Sequence, residues 1–282
     1  MKPFTLNIRG NLLRVDRPMI MGIINVTPDS FWEGSRAADA DSIAGRAAAM
    51  IADGADIIDL GACSTRPGAE TCDAATEEAR IAVGVEAVRS VSADIPLSVD
   101  TFRASVARSA VEYGADIVND ISGGDLDPEM MPTVASLHVP YIMMHMRGTP
   151  ATMQSMCDYP EGVVAEVVAD LSRKIERFRL AGVADIIADP GLGFAKTVGQ
   201  NYELLRSTAE IEELLGTPVL IGLSRKSMLT RPLGITAADA LEATTAANTL
   251  ALVIGAAILR VHDVKAAVEA REIVSLTYPT PA

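Results

Sequence analysis

The chain contains eight short apolar runs, each introduced by a proline or preceded by a glycine. Proline suits the first position of a strand, because the ladder does not yet need the missing N–H donor. Glycine suits the left-handed end of a helix just before a strand begins. In chain order, the runs are residues 19–26, 54–59, 97–100, 114–119, 141–145, 182–187, 219–224 and 255–259. The pattern predicts eight buried strands.

Stretches with helical spacing separate these runs, so strand and helix alternate along the chain. Eight such units match a closed (β/α)8 barrel. An open doubly wound sheet would usually carry a glycine-rich dinucleotide fingerprint after its first strand, which this sequence lacks. We therefore expect an α/β fold, a (β/α)8 TIM barrel that forms a single domain over residues 1–282. The clearest helical stretches are residues 41–51, 77–91, 102–112, 161–180 and 239–254.

Residues 4–15 precede the first predicted barrel strand, and Gly10 and Asn11 lie at their centre. This pattern predicts a short N-terminal β-hairpin. Such a hairpin can plug the bottom of a barrel, and enzymes with this fold bind substrate at the opposite end.

Composition and charge narrow the class of protein. The 282 residues are 49% hydrophobic and 22% charged, which suits one large α/β domain. With 37 acidic and 24 basic residues, a general nucleic-acid or anionic-membrane surface is not expected. The amino terminus lacks the apolar segment of a signal peptide, and residues 250–259, the most apolar later segment, are too short to span a bilayer. We expect a cytoplasmic enzyme.

The three cysteines, Cys63, Cys72 and Cys157, are an odd number without CxxC spacing. This arrangement indicates neither a disulfide framework nor a zinc site. Reduced thiols are therefore expected at all three positions.

Five polar side chains stand at the ends of predicted strands, namely Asn25, Asp100, Asn119, Asp189 and Lys226. Parallel barrel strands deliver such groups to one face of the barrel, where small molecules bind. A single aspartate here could instead cap the following helix, as Asp100 could. For so many polar ends, a binding site is the better interpretation.

Short motifs lie at or near these strand ends. The first two are MGIINVTPDSF at residues 21–31 and STRPGA at residues 64–69. In these two motifs the chain resembles the dihydropteroate synthase family, and one such segment alone would be weak evidence. The resemblance covers essentially the whole chain, because similar segments follow in order at residues 98–101, 118–124, 144–146, 189–191, 193–194, 224–227 and 260–263.

The resemblance implies a reaction and its partners. The family condenses 6-hydroxymethyl-7,8-dihydropterin diphosphate with 4-aminobenzoate, which gives 7,8-dihydropteroate and pyrophosphate with Mg²⁺ as cofactor. Small-molecule substrates would then be the partners, without nucleic acid or membrane. A homodimer through the late helices, around residues 239–254, is also implied, although buried helix packing explains the same composition.

The resemblance also implies roles for individual residues. The pterin would be bound by Asp100, Asn119, Ile121, Met143, Asp189 and Lys226. The diphosphate would be bound by Asn25, Thr65, Arg66, Arg260 and His262, and Asn25 would contact the metal. The 4-aminobenzoate would be bound by Pro67, Phe194 and Ser227. The residues expected to carry catalysis are Asp100, Asp189, Lys226 and Arg66.

Three departures from the family pattern concern the rim of the site. Trp32-Glu33, Ala62-Cys63 and Ala195 stand where the family usually has Ser-Asp, Gly-Glu and Gly. Residues 27–39 and 62–75 are expected to be loops that close over substrate and are mobile without it.

Three alternative hypotheses assign the chain to other functional classes. A corrinoid-dependent methyltransferase barrel also binds a reduced pterin, but it has no need of the STRP motif. A Schiff-base aldolase could use Lys226, but this leaves the carboxylate and amide strand ends unexplained. A non-catalytic pterin-binding relative would keep the same slot, and the residues alone leave that alternative open.

Overall fold

The computed structural model describes residues 1–26, 36–63 and 72–279, and its centre is a barrel of parallel strands. The first six barrel strands pair in chain order, and the eighth strand joins the first to the seventh. A backbone bridge from Ala188 to Val219 links the sixth strand to the segment that leads into the seventh. The predicted (β/α)8 barrel is confirmed. Its strands are β3 (Met19–Asn25), β4 (Ile57–Gly61), β5 (Leu97–Asp100), β6 (Ile117–Asp120), β7 (Tyr141–Met144), β8 (Ile186–Asp189), β9 (Leu220–Ile221) and β10 (Ile258–Val261).

Helices follow the strands and cover the outside of the barrel, where outward strand residues such as Ile58, Leu60 and Val99 are fully buried. Two helices lie between β8 and β9, and two between β9 and β10. Among the described residues, no helix has both the length and the apolar character needed to cross a membrane. The helices are α1 (Arg36–Ala52), α2 (Ala74–Val91), α3 (Ala104–Tyr113), α4 (Met130–Leu137), α5 (Val163–Leu180), α6 (Val198–Arg206), α7 (Thr208–Leu215), α8 (Ser227–Leu233), α9 (Leu241–Ile254) and α10 (Val264–Thr277).

The N-terminal hairpin is confirmed, with β1 (Phe4–Ile8) antiparallel to β2 (Asn11–Val15). Arg9 and Gly10 form its turn, one residue earlier than the Gly10-Asn11 centre expected from the sequence. Arg9 and Gly10 have φ of 53° and 78°, and Asn11 already pairs with Ile8. A two-residue turn with positive φ at both positions matches the twist of the flanking strands, which explains the shift.

The hairpin closes the amino-terminal end of the barrel. Leu6, Ile8 and Val15 belong to one buried apolar cluster with the inward side chains near the strand starts, including Ile57 and Ile187. Packing at this end leaves the carboxyl ends of the strands for a site.

The expectation of three reduced cysteines is wrong. Cys63 and Cys72 form a disulfide with Cα atoms 5.9 Å apart, and Cys157 is free. The sequence shows only that Cys63 and Cys72 are nine positions apart. The fold brings them together because Cys63 follows β4 and Cys72 precedes α2, and the two segments lie side by side.

The segment predicted as a loop over residues 27–39 is shorter than expected, since α1 begins at Arg36.

Candidate active site

Backbone register aligns one row of residues at the carboxyl ends of β3 to β6. Asn25 pairs with Gly61, which pairs with Asp100. Asp100 pairs in turn with Asn119. Paired residues on neighbouring strands point to the same face, so these polar side chains converge. Gly61 leaves space between two of them, because a Cβ atom there would lie 3.5 Å from Asn25 Oδ1 and 3.8 Å from Asp100 Oδ2.

Asp59 lies one layer deeper on β4, and its role was missed in the sequence. Its side chain is fully buried, and Asn119 Nδ2 lies 3.4 Å from each of its carboxylate oxygens. The signal was a carboxylate inside an apolar strand, which is costly unless a partner compensates it. That partner is Arg260.

Arg260 reaches inward from β10 and joins two carboxylates. Its Nε donates to Asp59 Oδ2 at 2.7 Å, and its Nη2 donates to Asp100 Oδ2 at 2.7 Å. Burial raises the pKa of Asp100 to about 7, although Arg260 opposes that rise. Burial lowers the pKa of Arg260, but Asp59 and Asp100 outweigh it and raise that pKa above its usual value. The guanidinium thus supplies the cation that this acidic cluster needs.

Asp189 and Lys226 lie on the other side of the barrel mouth. The Asp189 carboxylate accepts a hydrogen bond from Gly191 N at 2.7 Å, and Lys226 Nζ donates to Leu192 O at 2.6 Å. Lys226 stands at the N-cap of α8, and not at the end of β9 as expected. Burial lowers the pKa of Lys226 to about 8 while Asp189 opposes the change. Burial raises the pKa of Asp189, and Lys226 opposes that change.

Gly222 lies close to both cationic side chains, Arg260 and Lys226. A Cβ atom at this glycine would lie 3.8 Å from Arg260 Cβ and 3.9 Å from Lys226 Nζ. Lys226 also interacts electrostatically with Asp189, Arg260 and Asp100, so these four side chains surround one space at the barrel mouth.

An apolar wall lines this end of the barrel. Ile121 clusters with Met144 and Ala195, and Phe194 packs against them. Lys226 Nζ lies 4.8 Å from the centre of the Phe194 ring. Ala195 has φ of 50°, a left-handed conformation that explains why glycine suits this position.

Met143, which we expected to contact the pterin, does not face the barrel mouth. Met143 is fully buried in the core between barrel and helices, whereas Met144 belongs to the apolar cluster at the barrel mouth. Successive strand side chains point to opposite faces, so a shift of one residue exchanges the two surfaces.

The remaining predicted residues lie at the rim or outside the described ranges. Ser227 is the exposed first residue of α8, and His262 Nδ1 lies 3.0 Å from Ser224 Oγ. Next to these, Arg225 pairs with Asp263 through two hydrogen bonds of 2.8 Å. Thr65, Arg66, Pro67 and the Trp32-Glu33 pair lie outside the described residues.

Lys196 holds the segment that carries Asp189 and Phe194, a role that the sequence pattern did not predict. Its side chain is buried, and Nζ lies 2.8 Å from Phe194 O and 3.0 Å from Gly191 O. Nζ also lies 3.0 Å from His145 Nδ1, and because burial lowers the pKa of His145, the neutral ring can accept this bond.

Replacing Lys196 with methionine should lower the free energy of unfolding by about 2 kcal/mol, because it leaves buried carbonyl groups without a donor. Chemical denaturation measures the change. Lys265→Met, at an exposed position on α10, is the matched control and should be neutral. Equal stability of the two variants would contradict the role of Lys196.

Comparisons with known proteins agree with this geometry. Residues 21–262 match the family described as "Pterin binding enzyme". A dihydropteroate synthase from Synechocystis is 44% identical over 253 residues, covering 89% of this chain and 86% of that protein. The Escherichia coli dihydropteroate synthase is 39% identical and covers 95% of each chain. The structure of Xanthomonas albilineans dihydropteroate synthase with 4-aminobenzoic acid has a TM-score of 0.90 at 37% identity, covering 99% of this chain and 100% of that one. The chain belongs to the pterin-binding enzyme family and, within it, to the dihydropteroate synthases.

Proposed function

We propose that this barrel mouth condenses a dihydropterin diphosphate with 4-aminobenzoate by stabilising the departing diphosphate and the positive charge left on the pterin. The observation that carries the proposal is the convergence of Asp100, Asn119, Asp189, Lys226 and Arg260 on one space. Family membership supplies the reaction, and this convergence supplies the groups to perform it.

A pterin edge alternates hydrogen-bond donors and acceptors. Carboxylates accept bonds from the donors, whereas the Lys226 ammonium donates to a ring nitrogen or carbonyl, and the Asn119 amide can do either. Ile121 and Met144 provide apolar surface for the flat ring. Such a slot rejects ligands that lack the matching edge, because its buried polar groups would be left unpaired.

The diphosphate carries several negative charges and needs cations at the rim. Arg260, on β10, lies within hydrogen-bonding distance of Asp100, and His262 follows directly after that strand. Arg66 and Thr65, whose roles rest on the sequence resemblance, would complete this set. Charge stabilisation of the leaving oxygens lowers the barrier for breaking the C–O bond.

The chemistry needs no enzyme nucleophile. As the bond between the pterin methylene and the diphosphate breaks, positive charge builds on the pterin, and the Asp189 carboxylate offsets it. The weakly basic amine of 4-aminobenzoate attacks as the neutral species, so no strong general base is required. Water would compete with the amine for the same carbon. Loops that close over the site would therefore protect the pterin from hydrolysis.

The second substrate needs an aromatic slot and an anchor for its carboxylate. Phe194, on the apolar wall, can pack against the ring, and Pro67 is the partner that the resemblance implies. The Ser227 hydroxyl is exposed near the same mouth and can donate to the carboxylate.

The residues at the end of β3 fit a Mg²⁺ site shared with the diphosphate. Asn25 Oδ1 and the Asp100 carboxylate lie on either side of Gly61, and Mg²⁺ prefers oxygen ligands. When bound, the ion supplies positive charge that stabilises the leaving diphosphate. Asn25 is the residue that we propose contacts it.

Removal of divalent cations with EDTA should abolish product formation, and Mg²⁺ should restore it. Asn25→Ala should raise the Mg²⁺ concentration needed for half-maximal activity by about tenfold. Steady-state rates over a Mg²⁺ titration test this effect, with Asn11→Ala on the distant hairpin as control. An unchanged Mg²⁺ requirement in Asn25→Ala would contradict the assignment.

We also propose a homodimer through the outer face of α9 and α10. Leu250, Val253, Ile273 and Leu276 are exposed there by 55%, 46%, 62% and 80%. Size-exclusion chromatography with light scattering should show a dimer, and Leu250→Glu should shift it to monomer. Leu180→Glu, at an exposed position on α5, is the control. A wild-type monomer at micromolar concentration would refute the proposal.

Mass-spectrometric detection of dihydropteroate tests the proposed function. Purified protein with Mg²⁺ and both substrates should form it, and each single omission should prevent it. Pterin binding without product would instead favour a non-catalytic relative.

A further inference from the structure

Lys196 is a buried lysine that is not among the residues proposed to bind substrate. Its Nζ atom donates to Phe194 O at 2.8 Å and to Gly191 O at 3.0 Å. His145 Nδ1 lies 3.0 Å away and accepts the third bond. A protonated lysine has three N–H donors, whereas the neutral amine has only two. The three acceptors therefore fit an ammonium cation.

Gly191 connects this ammonium with Asp189. Gly191 N donates to Asp189 Oδ1 at 2.7 Å, and Gly191 O accepts from Lys196 Nζ at 3.0 Å. Gly191 has φ of 71°, and a Cβ atom there would clash with His145 O. The backbone that orients the Asp189 carboxylate is thus held from both sides.

The same ammonium supports the apolar wall proposed for the second substrate. Phe194 O accepts from Lys196 Nζ, and Ala195 O accepts from the Tyr159 hydroxyl at 3.0 Å. On the other side of this backbone, the Phe194 ring lies 4.8 Å from Lys226 Nζ. Lys196 therefore contacts the backbone behind groups that we propose for both substrates.

We propose that Lys196 is a positioning residue whose positive charge favours the ionised form of Asp189 and whose N–H groups hold Gly191 and Phe194 in place. This inference deepens the proposed function and rests on it, because the Asp189 carboxylate is the group that offsets positive charge on the pterin. Lys196 itself does not touch substrate, since it is buried and its N–H groups already have acceptors. A nearby cation favours the charged form of a carboxyl group.

The charges around the two groups agree with this role. Burial raises the pKa of Asp189, and the cations that oppose this rise are Lys226, Arg260 and Lys196. Burial lowers the pKa of Lys196 to about 7, and Asp189 opposes that change. The amine is therefore charged in the acidic range in which a carboxyl group titrates. The other charged or titratable groups that act on Lys196 or on the neutral His145 ring, or lie against that ring, are Arg147, Cys157, Tyr159 and Lys174.

An NMR titration of the aspartate carboxyl carbons in the full-length protein measures the pKa of Asp189, and Asp189→Asn identifies its signal. Lys196→Met removes the charge and the donors, whereas Lys196→Gln removes the charge but keeps N–H donors. Each variant should raise the pKa of Asp189 by about one pH unit. The acid limb of kcat/KM for the pterin substrate should move upward by the same amount. Lys196→Gln carries the test if Lys196→Met does not fold.

Lys174→Met is the matched control. Lys174 is as buried as Lys196, donates to Ser122 O at 3.2 Å and pairs with Asp125 and Asp170. Its replacement should lower stability in the same way, because a buried carbonyl and two carboxylates lose their cation. The pKa of Asp189 and the acid limb should nevertheless stay at their wild-type positions.

Three results would overturn the inference. One is a pKa of Asp189 that is equal in the wild type and in the folded Lys196 variants, and another is a rise of the same size in Lys174→Met. The third is a raised pKa of Asp189 with an unmoved acid limb. The NMR titration needs no turnover, so a protein that made no dihydropteroate would still show whether Lys196 acts on Asp189. Failure of the proposed function is therefore distinguishable from failure of this inference.

Discussion

Asp189→Asn is expected to lower kcat/KM for the pterin substrate by about 10³-fold. The substitution keeps the shape of the side chain but replaces a charged acceptor with a neutral amide. It removes the charge that offsets the developing pterin cation and the acceptor for the pterin edge. It also leaves the partly buried Lys226 without its opposing charge, so the pKa of Lys226, which burial already lowers to about 8, should fall further.

Steady-state kinetics at saturating 4-aminobenzoate measure the effect. Asp53→Asn, at an exposed position after α1, is the matched control and should retain wild-type rates. Circular dichroism should show that Asp189→Asn is folded. A folded variant with kcat/KM near that of the wild type would exclude Asp189 from the chemistry.

Arg260→Met should lower the free energy of unfolding by about 3–5 kcal/mol at pH 8, because it leaves two carboxylates buried without their cation. Asp59 is fully buried and the Asp100 side chain is 13% exposed, so water replaces the guanidinium poorly. Pterin affinity should fall as well, since the orientation of Asp100 depends on this ion pair. Chemical denaturation measures the first effect, and calorimetric titration with a pterin measures the second.

The loss of stability should depend on pH. The pKa of Asp100 rises from 3.8 to about 7 on folding, so the folded state binds more protons than the unfolded chain between those values. This group therefore contributes less stability as pH rises through that window. Without Arg260 the pKa of Asp100 rises further, and the gap between variant and wild type should widen from pH 5 to pH 8.

Asp59→Asn in the Arg260→Met background should recover part of the lost stability, because it removes one of the uncompensated carboxylates. An Arg260→Met variant that unfolds at the wild-type denaturant midpoint at pH 8 would refute the account of this cluster.

The barrel and much of the site could be predicted from sequence because they depend on local patterns. Asn25, Asp100 and Asp189 end their strands, so runs of apolar residues locate them. The glycines before the strands also behave as expected, and Gly114 and Gly255 have φ of 116° and 105°. Because the strands of a barrel are parallel, their carboxyl ends then lie together at one face of the barrel.

The features that sequence reasoning missed depend on distances through space. The pairing of Asp59 with Arg260 spans 201 positions, and the contact of Lys196 with His145 spans 51. Neither has a local signal beyond a charge in an apolar surrounding. Met143 was misplaced for a different reason. A motif match locates a segment of the chain, but within a strand a shift of one residue moves the side chain to the opposite face of the sheet.

The most direct test of the central claim is the ratio of pyrophosphate released to dihydropteroate formed, measured on purified protein with and without 4-aminobenzoate. One pyrophosphate for each dihydropteroate, with release dependent on 4-aminobenzoate, is the predicted result. Release that proceeds equally without 4-aminobenzoate, or no release from protein that binds the pterin diphosphate, would contradict the account.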